Sequence, residues 1–135
     1  MDLIGIDAYF PVSSAKTPSV EECFLGWGND FNTIKELSNS TGKKVVFTEF
    51  GYRNIDYTGL EPWNEENNAT YNSVGQENTY KALFCRFWGQ SWFEGGFLWK
   101  WDPDHSNSGG NSNNRFTPQN KPVEELISNV FEETN

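Results

Sequence analysis

Glu49 is the residue best placed for chemistry, because it closes the apolar run 44–48 and stands directly before Phe50, Gly51 and Tyr52. A short run rich in Val and Phe is typical of a buried β-strand. In α/β folds, side chains at the carboxyl ends of parallel strands project into a mouth built by the loops that follow. A carboxylate in that position is predicted to act as a nucleophile or as a general base.

Asp7 is a second candidate, since it lies near the end of another apolar run. Adjacent strands are about 4.8 Å apart, so Asp7 and Glu49 could couple electrostatically. The simpler interpretation, which we favour, is that Asp7 orients neighbouring polar groups. The loop residues Glu61, Glu65 and Glu66 are expected to be solvated.

Aromatic residues make up 16% of the chain, which includes six Trp. Such rings fill cores, or they offer flat faces on which sugar rings stack while polar neighbours bind hydroxyls. Trp27, Trp88 and Trp92 fall at helical positions and are predicted to be core residues. The candidates for stacking on a ligand are Trp63, Trp99 and Trp101.

The formal charge of −9, with ten scattered Lys and Arg residues, argues against a nucleic-acid partner. No apolar run reaches the roughly 18 residues of a membrane span. His105 lies near Asp102 and Asp104, but no second His or Cys completes a ligand set, so neither a metal nor a cofactor is expected. The chain opens directly on a strand, which leads us to expect a missing upstream part.

The elements that position Glu49 alternate between strand and helix. We predict strands at residues 2–9, 44–49 and 97–101, helices at about 18–38, 76–92 and from 122 onward, and long loops at 51–75 and 102–114, the latter flexible. Gly26 and Gly28 could interrupt the first helix. This order predicts a parallel sheet with helical crossovers.

The period of two along a strand predicts which side chains share a face with Glu49. It places Val45 and Phe47 inward with Glu49, and Val46 and Thr48 against the helices. The same alternation assigns two further sets to the interior face, namely Gly5, Asp7 and Tyr9, and Phe97, Trp99 and Trp101.

Three segments together resemble the last three strands of glycoside hydrolase family 113, a family of (β/α)₈ barrels of clan A known chiefly as β-mannanases. They are residues 4–11 (IGIDAYFP), 46–53 (VFTEFGYR) and 97–101 (FLWKW). The segments EPWN at 61–64 and FWGQ at 87–90 also resemble it. The resemblance implies an α/β fold, a partial TIM-type barrel of three consecutive parallel βα units corresponding to strands six to eight, in a single partial domain over residues 1–135.

The resemblance also implies roles for individual residues. Glu49 matches the nucleophile at the end of strand seven in a retaining double displacement, Tyr9 matches the strand-six tyrosine, and Trp99 or Trp101 matches the strand-eight aromatic that floors the first subsite. The substrate-binding candidates are therefore Asp7, Tyr9, Tyr52, Trp63, Trp99 and Trp101. The acid/base glutamate of strand four has no counterpart here.

The function implied is that of the carboxyl-terminal portion of a retaining, endo-β-mannanase-like glycoside hydrolase that carries the nucleophile but lacks the acid/base. Its expected partner is a β-linked, mannan-like oligosaccharide or polysaccharide. The alternative is a catalytically silent carbohydrate-binding half-barrel. In either case the inner face would be covered by a missing amino-terminal half or by a second copy in a homo-oligomer. A truncation product without ligand affinity is a third possibility.

Overall fold

Three parallel strands connected by helices form the described part of the chain. The computed structural model describes residues 2–66 and 69–133. Its elements in chain order are β1 (Ile4–Asp7), α1 (Val20–Gly26), α2 (Gly28–Thr41), β2 (Val45–Phe50), α3 (Ser73–Phe87), β3 (Phe93–Leu98), a 3-10 turn (His105–Asn107) and α4 (Val123–Glu133). Three parts of the predicted domain lie outside the described residues. They are Met1, residues 67–68 of the predicted loop, and the predicted continuation of the last helix past Glu133.

The sheet has the order β1-β2-β3, and both pairings are parallel. This confirms the α/β class and the predicted parallel winding. The register places Asp7 opposite Glu49 and Phe50 opposite Leu98. The carboxyl ends of all three strands therefore meet at one edge, from which the loops 51–72 and 99–122 extend.

An aromatic core fills the space between the sheet and the helices. The Phe47 ring lies 4.8 Å from the Phe87 ring of α3, and Trp27, between α1 and α2, lies 4.9 Å from Phe87 on another side. Trp27 is fully buried, while Trp88 and Trp92 are partly buried against the same core. The prediction that these three tryptophans belong to the core is confirmed, and the sheet is rigidly backed below its carboxyl edge.

The predicted assignment of faces on β2 is wrong for its apolar residues. Val45 and Phe47 are fully buried against the helices, whereas Thr48 is exposed on the open face, where its hydroxyl donates to Asp7 Oδ1 at 2.6 Å. The register shifts between Ile6 and Asp7 on β1, and between Phe47 and Phe50 along β2. Such an irregularity breaks strict alternation, so Phe47 and Phe50 both face the helices while Glu49 still reaches the mouth.

The third strand begins at Phe93, earlier than the predicted residue 97, and the pair Gly95–Gly96 lies inside it. A Cβ on Gly96 would come within 2.9 Å of the Phe50 ring, so glycine there permits the close packing of β3 on β2. The strand ends at Leu98. Trp99 and Trp101, predicted as strand residues, therefore belong to the loop that follows.

Two helix boundaries are set by side-chain caps. Ser19 and Glu22 form a reciprocal capping box at the start of α1, and Asn72 accepts from the Gly75 backbone at the start of α3. The first predicted helix is divided at Trp27, as its two glycines suggested. Among the described residues, no helix is both long enough and apolar enough to cross a bilayer.

The loop at 102–114, predicted to be flexible, is tied to the chain that follows it. Gln119 is fully buried, accepts from the Asp102 backbone N–H at 2.7 Å and donates to the Asp102 carbonyl at 3.1 Å. Asn120 donates to the carbonyls of His105 and Ser108. The composition of the loop did not indicate these anchors, because they come after the loop in sequence.

Candidate active site

A hydrogen bond between two strands sets the centre of the site. Tyr9, two residues beyond β1, donates its hydroxyl to Glu49 Oε2 at 3.1 Å. The Ala8 backbone N–H donates to the Glu49 carbonyl at 2.7 Å. The Glu49 carboxylate is thus oriented by a neighbouring strand end as well as by its own strand.

The Tyr9 hydroxyl acts only as a donor in this pair. Partial burial, followed by the hydrogen bond to the Glu49 carboxylate and its charge, raises the pKa of Tyr9 well above its ordinary value. The raised pKa favours the protonated phenol, which is the form that donates to Glu49. Its ring meets Phe116 edge-on at 6.2 Å, which limits the rotation of the ring.

Glu49 opens into a small cavity of about 210 Å³ at the carboxyl edge of the sheet. The lining residues are Tyr9, Glu49, Trp63, Glu65, Trp99 and Phe116. Four of these were candidates from the sequence, and the structure brings them together. Glu65, expected to be a solvated loop residue, lines the cavity as the other carboxylate besides Glu49.

Phe116 was missed by sequence reasoning. It is buried, and it follows a polar stretch that carries no helical or strand period. A single aromatic residue inside a polar loop was the one available signal. Loop aromatics of this kind can be assigned to a site only when the fold of the loop is known.

Trp99 is held at the cavity by its own backbone. Its N–H donates to the Phe50 carbonyl at 2.7 Å, and its carbonyl oxygen would lie 2.1 Å from a Cβ placed on Gly51. Phe50 is fully buried and packs on Trp88 at 5.5 Å. The tryptophan is thereby attached to the part of β2 that also carries Glu49. The Trp99–Lys100 peptide bond is cis.

Three predicted substrate-binding residues, Asp7 among them, do not line this cavity. Tyr52 is fully buried, with its ring edge-on to Tyr80 at 5.5 Å, so it is a core residue in this structure. Trp101 stacks on His105, with ring centroids 5.9 Å apart, and lines a separate groove of about 990 Å³ beside Ile127 and Phe131 of α4. That groove runs along β3, which pairs only with β2 in the part of the chain described.

Asp7 lies on the open face next to Glu49 in register, but it does not line the Glu49 cavity. Its Oδ1 accepts from the Thr48 hydroxyl at 2.6 Å. This contact is with a neighbouring polar group, as the orienting interpretation expects. Substrate binding by Asp7 stays a prediction.

A buried arginine joins the two loops that wall the cavity. The Arg53 side chain donates from Nη1 to the Asn64 carbonyl and from Nε to the Asn114 carbonyl, both at 2.9 Å. Its residue exposure is only 3%. Because Asn64 lies between Trp63 and Glu65, and Asn114 is two residues from Phe116, Arg53 fixes both aromatic walls relative to β2. The sequence did not indicate this role.

His105 is engaged in a protein contact network. Its Nδ1 lies 3.2 Å from Gln119 Nε2, which makes Nδ1 the acceptor, and its Nε2 lies 3.5 Å from Glu124 Oε1. Within residues 2–66 and 69–133, no group of three or more His, Cys, Asp or Glu side chains is arranged to hold a metal ion. The chemistry available at the site is that of an oriented carboxylate beside aromatic walls.

Comparison with known proteins places this chain in a family. The family model described as Glycoside Hydrolase Family 113 matches residues 1–121. Among solved structures, the chain is similar to the GH113 β-mannanase AaManA from Alicyclobacillus acidocaldarius, with 21% identity, a TM-score of 0.80, and coverage of 100% of this chain and 40% of that one. A GH113 β-1,4-mannanase matches with 20% identity and a TM-score of 0.79, over 98% of this chain and 39% of that one.

The structural matches establish the likeness in fold, and this chain spans about 40% of the length of the mannanases it resembles. No curated protein is matched significantly by the sequence.

Proposed function

This chain belongs to glycoside hydrolase family 113, and from that premise we propose that it carries the nucleophile side of a retaining, endo-β-mannanase-like active site, with Glu49 as the nucleophile. The observation that supports this most directly is the Glu49 carboxylate, oriented by Tyr9 in a cavity with aromatic walls at the carboxyl edge of the sheet. In barrels of this type, residues at that edge carry the chemistry.

In the proposed reaction, a Glu49 oxygen attacks the anomeric carbon as the bond to the leaving oxygen breaks. A general acid protonates that oxygen, and water then hydrolyses the glycosyl ester with base assistance, so the anomeric configuration is retained. Tyr9 keeps the attacking carboxylate in place through the hydrogen bond from its hydroxyl to Glu49 Oε2. Trp63 and Trp99 offer ring faces to the bound sugar.

The general acid is proposed to come from residues outside this chain. A retaining reaction needs two carboxyl groups about 5–5.5 Å apart. We assign the three strands to positions six to eight of a barrel whose remaining strands supply the acid, in keeping with the 40% coverage of the related chains. Glu65 is the other carboxylate lining the Glu49 cavity, and the experiment below separates its role from that of Glu49.

The proposed substrate is a β-1,4-linked mannan, by extension from the related enzymes named as β-mannanases. Mannose and glucose differ in configuration at the 2-hydroxyl, and a site that hydrogen-bonds a hydroxyl discriminates strongly against analogues that misplace it. The trapping reagent should therefore have the manno configuration.

Covalent trapping tests the nucleophile without needing the acid. In 2-deoxy-2-fluoro-β-D-mannosyl fluoride the leaving group is fluoride, which departs without protonation. Attack by Glu49 would break the C1–F bond and form an ester at C1. Intact-mass and peptide mass spectrometry should find one 2-deoxy-2-fluorohexosyl unit on Glu49.

Two variants identify which carboxylate carries the label. Glu49→Gln should not be labelled, whereas Glu65→Gln should be labelled like the wild type. A label on another residue, or an unchanged label in Glu49→Gln, would contradict the assignment. Binding of mannotriose by a chain that is never labelled, even when joined to the remaining barrel strands, would favour the silent carbohydrate-binding alternative.

A further inference from the structure

A second cavity, of about 220 Å³, adjoins the Glu49 cavity. Its lining includes Glu65, Trp99 and Phe116, which also line the first cavity. The three shared residues place the two cavities next to each other. A ligand that runs from Glu49 past Trp99 and Phe116 would place its next unit or substituent in the second cavity.

The second cavity has an excess of positive charge, although the whole chain carries −9. Its charged lining residues are Arg53, Glu65, Lys100, Asp102 and Arg115. Lys100 Nζ lies 3.8 Å from Asp102 Oδ1, and Glu65 lies near enough to Arg53 to favour its charged form. With three cationic and two anionic side chains, the lining keeps one net positive charge.

The two guanidinium groups differ in what they do. Arg53 is buried and donates to the carbonyls of Asn64 and Asn114, so it holds the two loops together. Arg115 is exposed, and within the described residues its side chain makes no hydrogen bond and no salt bridge. Its planar fork is available to a ligand entering the cavity.

Neighbouring cations increase the electrostatic benefit of binding an anion there. Burial, followed by repulsion from the positive charge of Arg115, lowers the pKa of Arg53. Lys121 lies behind the same wall, where it donates to the Arg115 carbonyl at 2.9 Å. A monoanion between these groups would relieve the repulsion.

We propose that the second cavity is a subsite for a sugar unit bearing a carboxylate, with Arg115 binding the carboxylate and Trp99 and Phe116 contacting the ring. The inference rests on the proposed function, because it places the charged sugar unit next to the unit whose glycosidic bond Glu49 would cleave. An arginine fork binds a carboxylate through two parallel hydrogen bonds, which gives both affinity and orientation. The glycan selected would be a mannan-like chain that carries uronic acid units.

The test compares two ligands that differ only at C6, methyl β-D-mannosiduronate and methyl β-D-mannoside. Both would be titrated into the 135-residue chain at low salt and followed by amide NMR shifts. The uronide should bind about tenfold more tightly, as expected for a hydrogen-bonded ion pair. Added salt should weaken the uronide alone, because screening acts on the ionic contact.

Three variants assign the effect to Arg115. Arg115→Gln should abolish the preference for the uronide, and Arg115→Lys should restore part of it. Lys35→Gln removes the same charge from an exposed position on α2 and should keep the full preference. Equal affinities for both ligands in the wild type, or equal losses in Arg115→Gln and Lys35→Gln, would overturn the proposal.

The carboxylate subsite and the nucleophile assignment can be refuted independently of each other. Glu49→Gln should retain the uronide preference while losing covalent labelling. Absence of labelling with an intact preference would count against the hydrolase proposal alone. Normal labelling without any preference would count against the carboxylate subsite alone.

Discussion

Replacing Gly51 with Ala should disrupt the site through a backbone clash. An ideal Cβ at this position would lie 2.1 Å from the Trp99 carbonyl oxygen and 3.2 Å from Phe116 Cδ1. Real Cβ contacts essentially never fall below 3.0 Å, so the Trp99 backbone would have to move by about 0.9 Å. The moving segment carries one aromatic wall of the Glu49 cavity.

The backbone cannot make this movement freely. The Trp99 N–H donates to the Phe50 carbonyl at 2.7 Å, and Phe50 is fixed in the core. Overpacking of this kind costs about 1–3 kcal/mol of the free energy of unfolding. We also expect covalent labelling of Glu49 to slow by about tenfold, because misplacing a group by about 1 Å sharply lowers the rate of the reaction it supports.

Gly89→Ala is the matched control, since nothing lies within 4 Å of a Cβ built on Gly89. Its free energy of unfolding should change by less than about 0.5 kcal/mol. Urea unfolding and the rate of labelling by the mannosyl fluoride measure both effects. If Gly51→Ala matches Gly89→Ala in stability and in labelling rate, the close approach of Gly51 to Trp99 does not constrain the site.

Three further predictions concern ligand binding, catalysis and pH. Trp63→Ala should weaken mannotriose binding by about threefold to tenfold, because a ring face of the Glu49 cavity is lost. Trp101→Ala should leave the affinity unchanged, because Trp101 packs on His105. Calorimetric titration of mannotriose into each variant measures the two affinities. Glu49→Gln should keep wild-type thermal stability within a few degrees while losing all labelling, and a collapse in stability would show a structural role. Burial, followed by the charge of Arg53, lowers the pKa of Lys121 to about 8, below its ordinary 10.5. Between those values the unfolded chain binds more protons than the folded chain, so this group makes stability rise with pH. Urea unfolding at about pH 8 and about pH 10 should show a smaller rise in Lys121→Met, and an identical rise would refute the assignment.

The alternation of elements and the position of Glu49 were predictable from the sequence because both depend on local patterns. An apolar run followed by a polar loop indicates a strand end wherever it occurs, and helical crossovers dictate parallel strands. The register then brings Tyr9 and Glu49 together, since two parallel strands end at the same edge. The pairing of these two residues follows from chain order.

The faces and the loops depended on contacts distant in sequence. Strict alternation failed on β2 because the register irregularity around Thr48 arises from pairing with both neighbouring strands. Tyr52, read from its place in a motif as a ligand contact, is instead packed against Tyr80, 28 residues away. A pattern read along one segment contains no information about such partners.

What the sequence determined by itself was the alternation of strands and helices, the parallel winding that follows from it, and a carboxylate at a strand end, because local patterns and their order along the chain specify all three. Only the tertiary structure decided which groups surround that carboxylate. Phe116 and Glu65 beside it, and Arg115 in the adjoining cavity, come from two loops that Arg53 joins through backbone carbonyls. Loop conformation follows from hydrogen bonds between segments about 60 residues apart, and composition does not specify such bonds.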